Sequence, residues 1–520
     1  MRIVTSAQMR QIEEDTFASG RAEPGALMAQ AGSAVARHAL AALARPDSAA
    51  ALILVGPGNN GGDGLVVAEA LLRAGIRPVT VWLYHREGLK NAPVAPDLLT
   101  HTRTLNTGDA ATLREAIACA DVIVDAIYGI GARDHLPDDL VPVLRAVNER
   151  ARDPHVHTIA LDLPTGVNAD TGAVTNSAFT AQLTVTLGRP KRGLYLPPGV
   201  RYTGAIVVEP IGLTEGDLPD DTPHLIARAD AAQRLPRRLA DAHKGDAGSL
   251  MIVGGSGNYL GATVLSAHAA LRAGVGLLTL AVPQAIVGTV AAQIAEATYL
   301  PLAEAEWGIV GPDGVPTITD ALGRYTALQV GNGLGRHEAT SAFLARLFGF
   351  DGVPAGVKVP VLFDADGLNW LSTVDRWWEH LAHLQLVLTP HQGELARLRK
   401  IARDAIAAAP WEAASKAARE WGQTVVLKGG HSVIATPGGA LYVTPQANPA
   451  LAAAGTGDTL AGLIAGLLTQ GLTPADAAIA GLWLGSRAAD LARAAIGTLP
   501  LLAGDLPRYI GQAIRELETE

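Results

Sequence analysis

Short aliphatic runs alternate along this chain with alanine-rich stretches in which apolar positions recur at the spacing of a helix. Most of the aliphatic runs end in a glycine or an acidic residue. This alternation is typical of βαβ units, which build parallel sheets covered by helices. It predicts strands over residues 51–55, 78–83, 121–125, 158–161, 183–187, 249–253, 276–282, 327–330, 361–364, 386–388 and 424–427, and helices over residues 64–74, 110–118, 411–421 and 457–469.

A stretch rich in proline, glycine and aspartate, PIGLTEGDLPDDTP, interrupts this alternation near the middle of the chain. Such a composition is typical of a linker or a surface loop. We therefore place a boundary near Pro223 and predict two α/β domains, over residues 1–222 and 223–520, with no repeat between them.

The longest apolar stretches do not predict membrane spans. GVGLLTLAVPQAIVGTVAAQIA is interrupted by Pro283 and Gln284, and LAGLIAGLLTQGL is too short to cross a bilayer. We interpret both as buried elements of a folded domain.

The composition and charge of the chain exclude several classes of protein function. Hydrophobic residues make up 48% of the 520 residues and charged ones 18%, which excludes a disordered chain. The net charge is −9 with scattered Lys and Arg, so we expect no nucleic-acid partner. The single cysteine, Cys119, cannot form an internal disulfide, and the amino end lacks the pattern of a signal peptide. We expect a cytoplasmic homo-oligomer that takes small-molecule substrates and has no membrane partner.

A glycine-rich turn follows the first predicted strand. Gly56, Gly58 and Gly61 satisfy the G-x-G-x-x-G spacing of dinucleotide-binding turns. The same turn continues into Asp63, a carboxylate at the predicted helix start, where a pyrophosphate would otherwise bind. This disfavours an ordinary Rossmann dehydrogenase. The alternative is a tight turn in which Asp63 caps the helix.

Two later strands of the first domain end in acids. Asp125 closes one strand, and Asp162, followed by Thr165, closes another. Because ligands bind outside the carboxyl ends of parallel strands, we expect these residues to converge with Asn60. Their oxygen atoms suit a hard cation. A helix cap or a turn remains the alternative for each aspartate alone.

The segments GNNGGDG, VDAIYGIG, LDLPTG and GRPKRGLYLPPG resemble the NAD(P)H-hydrate epimerase family over nearly all of residues 1–222. The resemblance implies a Rossmann-like three-layer sandwich. It implies that Asn60, Asp125 and Thr165 hold K⁺ and that Asp162 is the acid/base. Contacts to the hydrated nicotinamide nucleotide are implied for Asn59, Asn60, Gly61, Gly62, Asp63, Gly129, Ile130, Gly131, Ala132, Arg133, Asp134, His135 and Asp162.

In the second domain, a small-residue turn with Gly455 and Gly457 opens a long apolar helix, whose first N–H groups form an anion site. Asp458 at this helix start is either a general base or a cap. Lys428 follows a strand and is either a phosphate ligand or a solvated lysine. His391, three residues before Glu394, either binds a ligand or caps the next helix.

The segments GGSGNYLGA, DADGLN, TPHQGE, LKGGHS and AGTGD resemble the ribokinase-like fold, and more closely its ADP-dependent NAD(P)H-hydrate dehydratase branch, over about residues 235–490. Asn332 in VGNGLG departs from the proline that is frequent in that family. The resemblance implies ADP as co-substrate, Mg²⁺ with the nucleotide, and Asp458 as a catalytic residue. It implies substrate contacts for Ala262, Gly333, His391 and Asp458, and nucleotide contacts for Lys428, Gly429, Gly430, His431, Ser432 and Gly457.

Both resemblances imply one repair function. The first domain would interconvert the R and S forms of hydrated NAD(P)H, and the second would dehydrate the S form with ADP to NAD(P)H, AMP and phosphate. One alternative is a ribokinase-like small-molecule or vitamin-precursor kinase with an accessory ligand-binding domain. A further alternative makes the first domain a non-catalytic binding module.

Overall fold

The computed structural model describes residues 1–131, 135–352 and 356–519. Contacts divide the chain into two compact units, Met1–Thr222 and Pro223–Glu520. Among the helices in these described ranges, none combines the length and apolarity needed to span a membrane.

The first unit is built on a parallel sheet. Its strands are β1 (Ala51–Val55), β2 (Val79–Leu83), β3 (Arg103–Asn106), β4 (Val122–Ala126), β5 (His157–Leu161), β6 (Leu183–Leu187) and β7 (Ala205–Glu209), and its helices are α1 (Ser6–Ala18), α2 (Pro24–Ala42), α3 (Asn59–Arg73), α4 (Ala110–Cys119) and α5 (Val141–Arg150). The strand order is β3-β2-β1-β4-β5-β6-β7, and all neighbouring strands are parallel. The order reverses between β1 and β4, which is where such sheets bind ligands.

Both faces of this sheet are buried. Ile53 and Val55 belong to one hydrophobic cluster and Leu52 and Leu54 to another, because successive strand residues point to opposite faces. Helices cover each face, so the central strands consist of continuous aliphatic residues. The predicted α/β three-layer architecture is confirmed.

The second unit combines a long sheet with a two-stranded one. Its strands are β8 (His224–Leu225), β9 (Ser249–Val253), β10 (Leu277–Pro283), β11 (Thr298–Leu302), β12 (Glu304–Glu306), β13 (Ile309–Val310), β14 (Ala327–Val330), β15 (Val361–Phe363), β16 (Leu386–Leu388), β17 (Thr424–Leu427), β18 (Val433–Ala435) and β19 (Leu441–Val443). Its helices are α6 (Arg228–Ala232), α7 (Leu260–Arg272), α8 (Val287–Ala291), α9 (Val315–Thr319), α10 (Glu338–Leu347), α11 (Asp366–Leu371), α12 (Trp377–His380), α13 (Gln392–Arg399), α14 (Arg403–Ala408), α15 (Pro410–Trp421), α16 (Thr456–Leu468), α17 (Pro474–Ile496) and α18 (Leu506–Glu518).

The long sheet has the order β11-β10-β9-β14-β15-β16-β17-β18-β19-β8 and is parallel from β11 to β17. The apolar helix α16 packs against α7. A Cβ added to Gly462 of α16 would lie 2.0 Å from the backbone oxygen of Ser266, so the glycine permits this close approach. The contact holds the start of α16 beside the carboxyl ends of the parallel strands. The predicted α/β class of the second unit is confirmed.

The predictions over residues 51–55, 183–187 and 249–253 match β1, β6 and β9. The helix predicted from residue 64 instead begins at Asn59, so Asp63 lies in the second turn and the expectation of a carboxylate at the helix start was wrong. Packing explains why the helix begins at Asn59. Gly62 and Gly64 belong to the helix, where added Cβ atoms would meet Met28 and Ala126.

Candidate active sites

The first candidate site is a cavity of about 860 Å³ at the carboxyl end of the parallel sheet in residues 1–222. It lies at the reversal of strand order, beside the turn that follows β1 and the segment that follows β4. Its lining includes Arg10, Glu13, Asn59, Asn60, Asp63, Gly129, Ile130, Gly131, Asp162 and Lys191.

Asp162 directly follows β5 and is held by donors on one side of its carboxylate. Its Oδ1 atom accepts hydrogen bonds from Lys191 Nζ at 2.5 Å and Leu187 N at 3.1 Å. Thr186 Oγ1 adds a third donor at 3.3 Å. Its Oδ2 atom lies toward Gly129, where an added Cβ would be 3.3 Å away. Oδ2 is therefore the oxygen that faces the cavity.

The backbone of Asp162 has a φ of 69°, in the left-handed region. Non-glycine residues adopt this conformation rarely, and such residues cluster at functional sites. Lys191 is 1% exposed and also donates to the backbone oxygen of Leu187 at 2.7 Å. The ammonium group therefore has a fixed position and balances the Asp162 carboxylate.

Two further carboxyl groups line the same cavity. Burial, with Asp162 and Glu13 nearby, raises the pKa of Asp63 well above its usual value. Burial also raises the pKa of Glu13, although Lys191 opposes this. Burial therefore makes both carboxyl groups easier to protonate than carboxyl groups in water.

Asp125 and Thr165 form a buried pair below the cavity. Asp125 accepts hydrogen bonds from Thr165 Oγ1 at 2.8 Å, Thr165 N at 2.7 Å and Ile127 N at 3.1 Å. Burial raises the pKa of Asp125 to about 6, and these hydrogen bonds oppose the rise. Asn60 Oδ1 lies toward Gly129, where an added Cβ would be 3.1 Å away.

Not every residue in the predicted epimerase set lines the cavity. Gly61 packs toward the backbone oxygen of Gly56, and Gly62 packs toward Met28. His135 is exposed, with its ring 3.3 Å from Asn176 Nδ2. Ala132, Arg133 and Asp134 lie outside the described residues.

Lys191 and Glu13 line the cavity but are not among the residues predicted from the sequence. Lys191 belongs to the segment GRPKRGLYLPPG, so its signal was present in the sequence. Glu13 lies on α1, far from the other site residues along the chain, and its sequence surroundings carry no comparable signal.

The second candidate site lies at the start of α16. Gly455 precedes this helix in the left-handed region, with a φ of 88°, and caps it with no side-chain hydrogen bond. An added Cβ on Gly457 would be 3.4 Å from Lys428 Nζ. The lysine and the helix start therefore lie together, and both favour a phosphate group.

Asp458, in the first turn of α16, does not cap the helix through its side chain. Its Oδ1 atom accepts a hydrogen bond from Asn332 Nδ2 at 2.6 Å, and the same nitrogen donates to Asp364 Oδ2 at 3.0 Å. Lys428 Nζ donates to Asp364 Oδ1 at 2.7 Å. Asp458 is thus connected to Lys428 through Asn332 and Asp364.

Burial and the neighbouring charges shift the pKa values of Asp458 and Lys428. Burial raises the pKa of Asp458 to about 6, and the Asn332 hydrogen bond opposes the rise. Burial alone would lower the pKa of Lys428, but Asp364 and Glu394 outweigh it and raise the value. Lys428 is therefore a fixed cation rather than a solvated surface lysine.

The predicted substrate residues Ala262 and Gly333 contact one another. Gly333 has a φ of 72°, and an added Cβ would lie 2.9 Å from Ala262 Cβ and 2.7 Å from the backbone oxygen of Tyr259. Only glycine fits this position without displacing the loop. Since Gly333 follows Asn332, one short loop reaches both Ala262 and Asp458.

His391 caps α13. Its Nδ1 atom accepts hydrogen bonds from Gly393 N at 2.9 Å and Glu394 N at 3.2 Å. Burial, with Lys428 nearby, lowers the pKa of His391. The other ring nitrogen, Nε2, lies 3.5 Å from Glu394 Oε1. His391 also lines a cleft of about 630 Å³ together with Arg397. Capping and ligand binding are therefore compatible.

A cavity of about 450 Å³ lies beside Lys428. Its predicted nucleotide residues are Lys428, Gly429, Gly430, Ser432 and Gly457, and its apolar wall includes Leu460, Leu463, Leu482, Leu506 and Ile510. An apolar wall suits a flat nucleotide base. His431 is not part of this lining. Its ring donates to the backbone oxygen of Thr444 at 2.8 Å, and burial lowers its pKa to about 4.

Family models match both units. A model described as NAD(P)H-hydrate dehydratase matches residues 250–512, which is more than half of the chain. A model described as YjeF-related protein N-terminus matches residues 24–193.

Full-length relatives are also found. The bifunctional NAD(P)H-hydrate repair enzyme Nnr of Moorella thermoacetica is 37% identical over 535 residues, covering 100% of this chain and 98% of that protein. The protein of the same name from Thermofilum pendens is 33% identical, covering 100% of this chain and 97% of that protein. A crystal structure of the ADP/ATP-dependent NAD(P)H-hydrate dehydratase of Bacillus subtilis, co-crystallised with ATP and Mg²⁺, is 28% identical, covers 57% of this chain and 99% of its own, and has a TM-score of 0.49.

Proposed function

Because this chain belongs to the family of bifunctional NAD(P)H-hydrate repair enzymes, we propose that residues 1–222 carry the epimerase site and residues 223–520 the dehydratase site. The chain is an NAD(P)H-hydrate epimerase and an ADP-dependent NAD(P)H-hydrate dehydratase. It interconverts the R and S hydrates and dehydrates the S form with ADP, giving NAD(P)H, AMP and phosphate.

The epimerase chemistry is assigned to Asp162. In the hydrate, a hydroxyl group lies on C6 beside the ring nitrogen, whose lone pair can expel it as water once the oxygen is protonated. Asp162 enters the step protonated and supplies that proton from Oδ2, which faces the cavity. The carboxylate that remains, paired with Lys191, then removes a proton from the water that adds to the other face of the ring. Lys191 is a positioning residue, since it holds Oδ1 and leaves Oδ2 for the substrate.

Potassium binding is proposed for Asn60, Asp125 and Thr165. All three offer oxygen atoms, which a hard cation prefers. The fit is supported by Asp125, which is fully buried and whose pKa is raised by burial with no cationic side chain among the described groups that act on it. A bound K⁺ would supply the missing positive charge and order this end of the sheet.

The dehydratase chemistry is assigned to Asp458, and its position in the first turn of α16, with Lys428 at the same helix start, is the observation that carries the proposal. Asp458 accepts the proton of the C6 hydroxyl as that oxygen attacks the terminal phosphorus of ADP, and AMP leaves. Lys428 and the N–H groups of the helix stabilise the transferred phosphoryl group.

The phosphorylated hydrate then decomposes. The ring nitrogen lone pair expels phosphate from C6, and loss of a proton from the neighbouring carbon restores the dihydropyridine ring. Mg²⁺, bound with the nucleotide, supplies charge stabilisation to the phosphates. The apolar cavity beside Lys428 is the proposed base pocket of ADP. A homo-oligomeric assembly and a cytoplasmic location stay predictions.

The test uses the pure S hydrate with ADP and Mg²⁺, following the absorbance of the reduced nicotinamide. Wild-type protein should form NAD(P)H, and Asp458→Asn should reduce the rate by about a hundredfold or more, since the general base is lost. Glu338→Gln, which removes an exposed carboxyl group from the first turn of α10, is the matched control and should keep the wild-type rate. A wild-type rate for Asp458→Asn would contradict the assignment.

A further inference from the structure

We propose that Asn332 is a positioning residue of the dehydratase site, whose amide holds Asp458 Oδ1 so that the second carboxylate oxygen is directed to the substrate hydroxyl. This inference rests on the proposed role of Asp458. It goes further because it assigns the orientation of the base to a side chain that does not itself take part in the reaction.

The contacts of Asn332 define its orientation. The residue is fully buried, and its two amide hydrogens are given to Asp458 Oδ1 at 2.6 Å and Asp364 Oδ2 at 3.0 Å. Its carbonyl oxygen accepts a hydrogen bond from Gln329 Nε2 at 2.7 Å. A flipped amide would place that oxygen against both carboxylates and its hydrogens against Gln329, so the network permits one orientation.

Asp458 is also held through its backbone. Gln329 Nε2 donates to Ser266 Oγ at 3.0 Å, and Ser266 donates to the backbone oxygen of Asp458 at 2.8 Å. The side chain of Asp458 would nevertheless remain free to rotate without Asn332. The amide therefore fixes the side-chain torsions of Asp458, which the helix and Ser266 leave open.

The Asn332 amide lies between the carboxyl groups of Asp458 and Asp364. Asp364 and Asp366 disfavour the ionised form of Asp458, while Lys428 and the Asn332 hydrogen bond favour it. Burial raises the pKa of Asp458 to about 6, and the value would be higher without the Asn332 donor. Loss of Asn332 therefore reduces the fraction of base that is ionised at a given pH.

Asn332 also connects the base to the substrate loop and the nucleotide lysine. Gly333, the next residue, packs against Ala262, a proposed substrate contact. Asp364, the second acceptor of the amide, pairs with Lys428. A displaced Asn332 would therefore disturb the alignment of hydroxyl, base and phosphate.

The experiment measures kcat of the full-length protein with the S hydrate, ADP and Mg²⁺ between pH 5.5 and 9. We expect the acidic limb of Asn332→Ala to lie about one pH unit above that of the wild type, since a charge-assisted donor is lost. The ratio of variant to wild-type kcat should therefore fall about fivefold from pH 8 to pH 6. KM for ADP should change little.

Two further variants keep the test decisive. Asn332→Ser retains one short donor and should show a smaller shift in the same direction, and it replaces Asn332→Ala if that protein does not fold. Gln423→Ala removes another buried amide of the same unit, one that bonds the backbone of Leu384 and Leu386. It should lower thermal stability without moving the acidic limb.

A parallel loss of kcat at every pH in both Asn332 variants, or the same limb as the wild type, would overturn the inference. A shift in Gln423→Ala would overturn it as well, because a general loss of packing would then explain the effect. An inactive wild-type protein would instead contradict the proposed function itself.

Discussion

The Lys191–Asp162 pair gives the sharpest prediction for the first unit. Replacing Lys191 with Met keeps the length and apolar stem of the side chain but removes the ammonium group. Lys191 is 1% exposed and the Asp162 side chain is 10% exposed, so water replaces the lost partner poorly. Removing one member of a buried ion pair typically costs about 3–5 kcal/mol.

Loss of this ion pair should lower the midpoint of thermal unfolding. For a unit of about this size, each kcal/mol moves the midpoint by roughly 2–4 °C, so Lys191→Met should lower it by about 10 °C. Epimerase activity should fall in the same variant, because Asp162 loses the donor that fixes Oδ1. Lys90→Met makes the same chemical change at an exposed lysine and should leave both quantities unchanged.

Calorimetry on the full-length chain measures the midpoints, and hydrogen exchange in β5 and β6 identifies the transition of the first unit. The double variant Lys191→Met/Asp162→Asn removes the charge that Lys191→Met leaves unpaired. It should recover about half of the lost stability while staying inactive as an epimerase. If Lys191→Met is as stable as Lys90→Met, or if the double variant recovers nothing, the buried pair does not act as described.

Two further predictions concern the cation site and the substrate loop. Because burial raises the folded-state pKa of Asp125 to about 6, above its unfolded value, the stability that this group contributes at low pH is lost as the pH rises through about 6. KCl should therefore raise the thermal midpoint relative to choline chloride at pH 7.5 and much less at pH 5, and an equal difference at both pH values would contradict K⁺ binding at Asp125. Gly333→Ala should lower kcat/KM for the S hydrate by about fivefold or more, because a non-glycine residue at this φ is strained and its Cβ displaces the loop from Ala262. Gly323→Ala, whose Cβ would meet open space, is the control, and equal kcat/KM for the two variants would refute the role of Gly333.

The central strands could be predicted from sequence because both faces of a parallel sheet are buried. The aliphatic runs of β1 and β9 are therefore continuous and lack the alternation of apolar and polar residues that marks a strand with one exposed face. The edge strand β3, with the sequence RTLN, was missed because its residues are half exposed and mostly polar. β18 and β19 were missed because each has three residues and gains its stability from hairpin pairing.

The sequence predicted only part of the candidate sites, because only some of their residues lie in motifs that are continuous along the chain. Residues in glycine-rich turns, such as Asp458, carry a local signal in the chain. Lys191 and Glu13 reach the epimerase cavity from elements distant in sequence, so only the folded sheet brings them to Asp162. Asn332 was recognised as a departure from the family pattern, but its two carboxylate partners became apparent only when β14, β15 and α16 were assembled.

The most direct test of the whole account uses a mixture of R and S hydrates with excess ADP and Mg²⁺, following reduced nicotinamide, AMP and phosphate together. Wild-type protein should convert both epimers with equal release of the three products. Asp162→Asn should convert the S hydrate at the wild-type rate and then stop while R hydrate remains. Continued consumption of the R hydrate by Asp162→Asn, or accumulation of a stable phosphorylated hydrate in place of phosphate, would contradict it.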